Sequence, residues 1–294
     1  MSNQAKIATA KPLSLAVHLH LYYIEMWSDI KRYLQNIGDY PYDLYVTMVQ
    51  ENKELVADIR AFHPQTKVWV VENRGYDVGP FVYFLHQIDL DQYDLILKIH
   101  SKTPFGRGLT HLGRYFLNRH EWTNLLFQGL LESENLFHKI IKAFEQDEKL
   151  GLVGTKYCIT SQIQTFKHIM QKLSDTITKL GFAMPKKPAY VAGTMFMMRG
   201  SLLKIIRNNF KFEDFEPTNG KIKDGTLAHM MERLFGVITM VQGYKISSFD
   251  RNRYFEIHYI LSWLWYQVYC KKITNKGYLL IKICKIPVWH QKVR

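Results

Sequence analysis

KVWVVENRGYDVGPF, residues 67 to 81, reads as a β-branched and aromatic strand over Lys67 to Val71 that runs into a polar turn, with a short helix opening near Pro80. The same alternation recurs on both sides. Leu13 to Leu21 has strand character and precedes a helical pattern over Glu25 to Ile37. Asp43 to Val49 reads as a second strand and Asn52 to Phe62 as a helix. Downstream, Tyr93 to Ile99 is a strand, Glu121 to Glu145 is mostly helical, and Leu150 to Gly154 is a short strand. Tyr190 to Met198 reads as one buried strand followed by a helix from Ser201, and Asp224 to Phe235 as a helix with Asp224 at its N-cap. Strands alternating with helices predict an α/β domain on a mostly parallel sheet.

The bulk numbers bound this reading. A 294-residue chain with 47% hydrophobic and 22% charged residues can bury a large core, which excludes global disorder. Its formal charge of +13 favours polyanionic partners: nucleic acid, anionic lipid headgroups or phosphorylated small molecules. Cys158, Cys270 and Cys284 are odd in number and lack CxxC spacing, so neither a disulfide framework nor a zinc site is expected, and a reducing cytosol suits the chain. Met1 to Pro12 is polar and shows no secretory pattern. No apolar run reaches the roughly 18 residues a spanning helix needs.

Four segments carry chemistry. In open α/β sheets ligands bind beyond the carboxyl ends of the strands, which is where Asn73, Arg74, Gly75, Asp77 and Gly79 fall. Glycines let backbone approach a ligand, Asp77 suits a ribose or base edge, and Arg74 suits phosphate. The same residues also suit a plain turn held by Asn73 and Asp77. The second segment is Lys98-Ile99-His100-Ser101-Lys102. Alternation puts Lys98, His100 and Lys102 on one side. A buried unpaired Lys98 would cost several kcal/mol, and a phosphate cleft would give it a partner; a solvated strand end is the alternative. Third, Ala192 and Gly193 keep the strand over Val191 to Phe196 narrow, for a substrate at Gly193 and Thr194 or for tight core packing. Fourth, His229, Glu232 and Arg233 share a helix face, with Asp224 at the helix start. Either acid could take a proton from an acceptor hydroxyl. A simple cap for Asp224 and a structural Glu232–Arg233 ion pair fit equally. Glu213, Asp214 and Glu216 form an acidic loop that solvation alone explains.

Together these segments resemble the rhamnan synthesis protein F family of bacterial polysaccharide glycosyltransferases. The matching residues are His18-Leu19-His20 with Tyr22, ENRGYDVGPF (Glu72 to Phe81), YDLILKIHSK (Tyr93 to Lys102), LGLVG (Leu150 to Gly154), AGTMFMMR (Ala192 to Arg199) and AHMMERLFG (Ala228 to Gly236). The resemblance implies a GT-A-like fold over residues 1–256 and a nucleotide-sugar donor. It also implies inverting transfer of a rhamnose- or galactose-type sugar to a lipid-linked O-antigen, capsule or rhamnan acceptor. Carried onto this chain, donor binding falls to His20, Asn73, Arg74, Gly75, Asp77, Gly79, Lys98, His100, Ser101 and Lys102. Acceptor contact falls to Gly193, Thr194 and Arg233, and catalysis to Glu232, then Asp224, with His229. Many nucleotide-sugar transferases hold a divalent metal with Asp-x-Asp where this chain has His100-Ser101-Lys102. No metal ligand is assigned and no cofactor is firmly implied; two lysines and a histidine would neutralise a leaving diphosphate.

The tail, residues 257–294, holds Tyr259, Trp263, Trp265, Tyr266, Tyr269 and Trp289, seven lysines and arginines, and no acidic residue. That composition predicts an amphipathic helix on the anionic inner face of the cytoplasmic membrane, or else a helix packed on the domain. Competing readings are a nucleic-acid-binding protein and a non-catalytic glycan-binding relative. Helix-turn-helix, zinc-finger and RNA-recognition signatures are missing, so no nucleic-acid partner is expected.

Overall fold

Leu15–His20 (β1) is buried along its whole length, as a strand covered on both faces must be. The computed structural model to which it belongs describes residues 12–102, 109–112, 115–161, 167–218, 225–251, 256–257, 261, 264, 268–273, 278–284 and 286–292. These divide into two compact units, Met1–Gly106 with His120–Asp250, and Arg107–Arg119 with Arg251–Arg294.

In the first unit β1 is followed by α1 (Trp27–Gln35), β2 (Asp43–Met48), α2 (Lys53–Phe62), β3 (Lys67–Val70), α3 (Val78–Gln87) and β4 (Leu95–His100). After a hairpin of β5 (Leu109–Leu112) and β6 (Tyr115–Asn118), which belongs to the second unit, come α4 (Arg119–Leu131), α5 (Glu134–Gln146) and β7 (Leu150–Val153). Then follow β8 (Ile159–Thr160), α6 (Lys167–Lys179), β9 (Tyr190–Val191), β10 (Phe196–Arg199), α7 (Gly200–Asn209), α8 (Leu227–Val241) and β11 (Lys245–Ser247). The seven-stranded sheet has the order β11-β7-β10-β4-β1-β2-β3. It is parallel except at β10, which runs antiparallel to both β4 and β7. The expected α/β domain with a mostly parallel sheet is therefore present.

The chain lays down β2 and β3 on one side of β1 and then returns to add β4 on the other. That reversal opens a crevice at the carboxyl ends of β1 and β4, where His20 lies opposite both Thr47 and His100. One face of the sheet there is covered by α3, whose Phe81 and Phe84 meet the His18 ring at 5.4 and 4.7 Å. Phe81 also packs edge-on against Phe235 of α8.

The mostly helical stretch over Glu121 to Glu145 is present as α4 and α5, which part where extended Ser133 caps α5 by accepting the Leu136 N–H at 3.3 Å. Three local expectations need correction. The strand over Tyr190 to Met198 is broken into β9 and β10 by positive φ at Gly193 and Thr194. Helix α8 starts at Leu227, and the Leu227 N–H is received by the Glu216 carboxylate at 3.1 Å. Glu216 is thus a cap reaching across the chain rather than a solvated acid, while Asp224 lies outside the described residues. Finally, the second unit is not a purely helical tail. Ile257, Leu261, Leu264 and Val268 are helical, but β12 (Tyr269–Ile273), β13 (Tyr278–Ile283) and β14 (Ile286–Lys292) follow as an antiparallel sheet. Its Tyr278, Ile281, Ile283, Ile286 and Val288 are strand-favouring types. Among the described residues no helix is long and apolar enough to cross a membrane.

Candidate active site

Asp77 immediately precedes α3 and is the hub of the crevice. Its Oδ2 accepts from Lys98 Nζ at 2.5 Å and from the Thr194 hydroxyl at 2.5 Å, with His100 Nδ1 at 3.5 Å. Lys98 Nζ also donates to the Thr194 carbonyl at 2.9 Å. The Lys98 side chain is 0% exposed and that of Asp77 18%. A buried ammonium needs such a partner. The partner expected from sequence was a phosphate; the structure supplies a carboxylate of the chain itself. Burial alone would raise the Asp77 carboxyl, but the surroundings of His100, Lys98 and Lys102 hold it far below the ordinary carboxylate range. Burial lowers Lys98, against the pull of Asp77.

A row of histidines lies beside this pair. His18 Nε2 and His20 Nδ1 share the Thr47 hydroxyl at 3.0 and 3.1 Å. Burial pushes His20 down to about 4 and pushes His18 and His100 well below their ordinary value. Burial thus disfavours the charged form of all three, and the charge bonded directly to Asp77 is the Lys98 ammonium. Ser101 braces the edge: its hydroxyl accepts the Tyr23 N–H at 2.8 Å and its own N–H donates to the His20 carbonyl at 2.9 Å. Lys102 places its ammonium 4.1 Å from the centre of the Trp122 ring, a cation–π contact.

The Glu72-to-Gly79 turn is stapled to residues 215–218. Asn73 donates its amide to the Thr218 carbonyl at 3.0 Å and accepts the Thr218 N–H at 2.8 Å. Arg74 pairs with Glu72 and donates to the Phe215 carbonyl at 2.7 Å, while the Gly75 N–H reaches the Glu216 carbonyl at 3.0 Å. A Cβ on Gly79 would stand 2.2 Å from the Arg74 carbonyl oxygen, so the close approach at this glycine is made by the chain's own backbone. Asn73 thus bonds backbone as in the plain-turn alternative, whereas the Asp77 side chain caps nothing and is presented by the turn to Lys98 and Thr194.

The Gly193–Thr194 turn joins this cluster to a second one. Gly193 has φ +90° and Thr194 φ +53°, a strained conformation for a β-branched residue. Thr194 serves the Asp77–Lys98 pair, while the Gly193 N–H donates to Glu232 Oε1 at 2.7 Å. Glu232 Oε2 accepts from Arg233 Nη1 at 2.7 Å, and that nitrogen also donates to the His229 carbonyl at 2.6 Å. The guanidinium lies over the Tyr190 ring at 5.2 Å. His229 Nδ1 is 2.7 Å from the Thr226 hydroxyl, and its ring meets Tyr76 edge-on at 5.5 Å. Tyr76 also has positive φ, at 55°. Two strained residues thus flank Asp77, a pattern that accompanies functional sites.

Sequence reasoning missed Thr47 and Trp122 and read Glu216 as a solvated acid. A hydroxyl within the apolar strand DLYVTM was a readable signal for Thr47; Trp122 and Glu216 act through contacts that no local pattern announces. Among the described residues no group of three or more His, Cys, Asp and Glu has metal-holding geometry.

The model of the family described as rhamnan synthesis protein F matches residues 1–244. The uncharacterized protein WxcX of Xanthomonas campestris pv. campestris is 23% identical over 241 residues, covering 81% of this chain and 33% of that protein. The chain thus spans about a third of the length of the curated relatives it matches. Among solved structures, S. aureus TarS 1-349 is similar at a TM-score of 0.45 and 11% identity, covering 81% of this chain and 59% of that one. The mannosyltransferase PcManGT from Pyrobaculum calidifontis, in complex with GDP-Man and Mn2+, is similar at 0.42 and 12%, covering 81% and 55%.

Proposed function

The chain belongs to the rhamnan synthesis protein F family, and from that premise we propose that it is an inverting glycosyltransferase of the GT-A kind. Its donor is a nucleotide sugar of the rhamnose or galactose type. Its acceptor is a lipid-linked glycan of O-antigen, capsule or rhamnan assembly, which sets the work at the inner face of the cytoplasmic membrane. The observation that carries this reading is the pairing of two ionic clusters, Asp77–Lys98 and Glu232–Arg233, through one strained turn beside the β1–β4 crevice.

In this reading the donor diphosphate lies at the carboxyl ends of β1 and β4, beside His20, His100, Ser101 and Lys102. Asn73, Arg74, Gly75 and Gly79 shape the turn that presents Asp77. A sugar hydroxyl has a pKa far above 7, so its proton leaves as the new bond forms. Glu232 takes that proton: Gly193 and Arg233 orient its carboxylate, and each oxygen keeps a second lone pair. Arg233, Gly193 and Thr194 border the acceptor. Lys102, with the Ser101 hydroxyl beside it, meets the leaving diphosphate while Lys98 stays balanced by Asp77, so turnover persists in the presence of a chelator.

The test is release of nucleoside diphosphate from a panel of nucleotide sugars, with Glu232→Gln beside wild type. The variant should keep nucleoside diphosphate affinity and lose roughly 10²–10⁴-fold in turnover. Near-normal turnover in the variant removes Glu232 from the role. No turnover of any donor, with acceptor extract supplied, sinks the assignment.

A further inference from the structure

Of the eleven large apolar side chains that the described residues expose, nine lie between Ile257 and Trp289. Four of them form a stripe. Ile257, Leu261, Leu264 and Val268 are each helical, and their spacing of i, i+4, i+7 and i+11 is the one that recurs on a single helix face. They are 60%, 60%, 49% and 46% exposed. The Cys284 N–H donates to the Val268 carbonyl at 2.7 Å, which ties the β13–β14 turn to the last residue of this set. Beside it Tyr269, Ile283 and Ile286 lie opposite one another across the three strands, so their side chains share a face. All three are exposed.

Exposed apolar side chains gathered in one unit mark a contact surface, and charge identifies its partner. Residues 257–294 hold seven lysines and arginines and no aspartate or glutamate. Two copies pressed together on this face would set like charges against each other. An anionic surface meets both features at once. We propose that this face, the helical stripe with the adjoining edge of the three-stranded sheet, docks on an anionic lipid bilayer. The apolar side chains enter the boundary between headgroups and acyl chains, and the lysines meet the headgroup charges. Exposed Trp289 is of a type favoured at that depth. This names the contact surface for the membrane partner proposed above, and it does not depend on the identity of the catalytic base or donor.

The experiment is sedimentation of the full chain with vesicles of phosphatidylcholine alone or mixed with phosphatidylglycerol. Wild type should pellet with the mixed vesicles, far less with neutral ones, and progressively less as salt rises. Leu261→Glu with Leu264→Glu should lower the bound fraction about tenfold or more at an unchanged melting temperature. Ile286→Ser, on the sheet, should weaken binding in the same direction and serves if the double variant folds poorly. Equal or absent binding to the two vesicle types overturns the proposal, as does undiminished binding by folded variants. Loss of a wild-type dimer on substitution, seen by light scattering, would assign the face to a second copy instead. A chain that ignores vesicles yet transfers sugar would overturn this proposal alone; one that binds vesicles and transfers nothing would overturn only the catalytic reading.

Discussion

Replacing Asp77 by alanine tests the central claim about the crevice, that Lys98 is balanced from within. In the wild type Lys98 Nζ has two oxygen partners, Asp77 Oδ2 and the Thr194 carbonyl, and no exposure to water. Without Asp77 the ammonium keeps one neutral acceptor, and breaking a buried pair in this way costs about 3–5 kcal/mol. Deprotonation sets a ceiling. Discharging a lysine at pH 7 from an unfolded value near 10.4 costs about 4.6 kcal/mol, at about 1.36 kcal/mol per pH unit. A discharged Lys98 also changes the pH dependence. The unfolded chain then binds one more proton than the folded one, so the variant gains about 1.4 kcal/mol per unit between pH 7 and 10. This pair gives the wild type no such slope while Lys98 stays charged in both states. Urea unfolding followed by tryptophan fluorescence at pH 7 and pH 9 measures both quantities. Asp77→Ala with Lys98→Met should recover most of the loss and abolish the added slope. A single variant that loses less than about 1 kcal/mol, or whose stability follows the wild-type pH curve, would refute the buried-pair account.

The histidine row predicts acid lability. His20 falls to about 4 in the folded state, so its contribution is complete above pH 6.5 and is lost as pH falls toward 4, at about 3 kcal/mol in total; His18 and His100 act in the same direction. Urea midpoints that stay level between pH 7 and 4.5 would contradict this. Thr194→Val keeps the branched shape but removes the hydroxyl that bonds Asp77, and should cost about 1–3 kcal/mol. Thr194→Ser restores the hydroxyl and should recover most of that stability in the same assay; equal losses would show that the hydroxyl does not matter.

The parts of the fold that could be read in advance are those where periodicity and punctuation agree. From Leu13 to Lys102, buried runs such as LAVHLH and LILKIH are separated by amphipathic helices, and the helix read from Asn52 is α2, which Asn52 caps. The break at Gly193–Thr194 was hidden because AGTMFMM is apolar on both sides of it, and its turn is bonded to groups distant in the chain. At the site, the partners of the motif residues are distant in the chain. Lys98 invited a phosphate because its partner lies 21 residues upstream. Arg74 and Asn73 looked ligand-facing because the carbonyls they bond are 141 and 145 residues away. The tail's composition pointed to an interfacial surface, but composition alone does not separate helix from the antiparallel strands that follow Val268.

Strand β10 bears on the order in which the crevice is completed as the chain is made. It sits antiparallel between β4 and β7 and is the last of these three to be synthesised. A nascent chain that has emerged through β4 carries Asp77 and Lys98 but lacks Thr194, which lies 96 residues beyond Lys98. Parallel strands joined through helices can assemble from β1 to β4 in that interval, whereas contacts so distant in sequence form late. On the ribosome the first four strands would therefore hold half of the polar network, with the place for β10 open until the remaining chain arrives to close it.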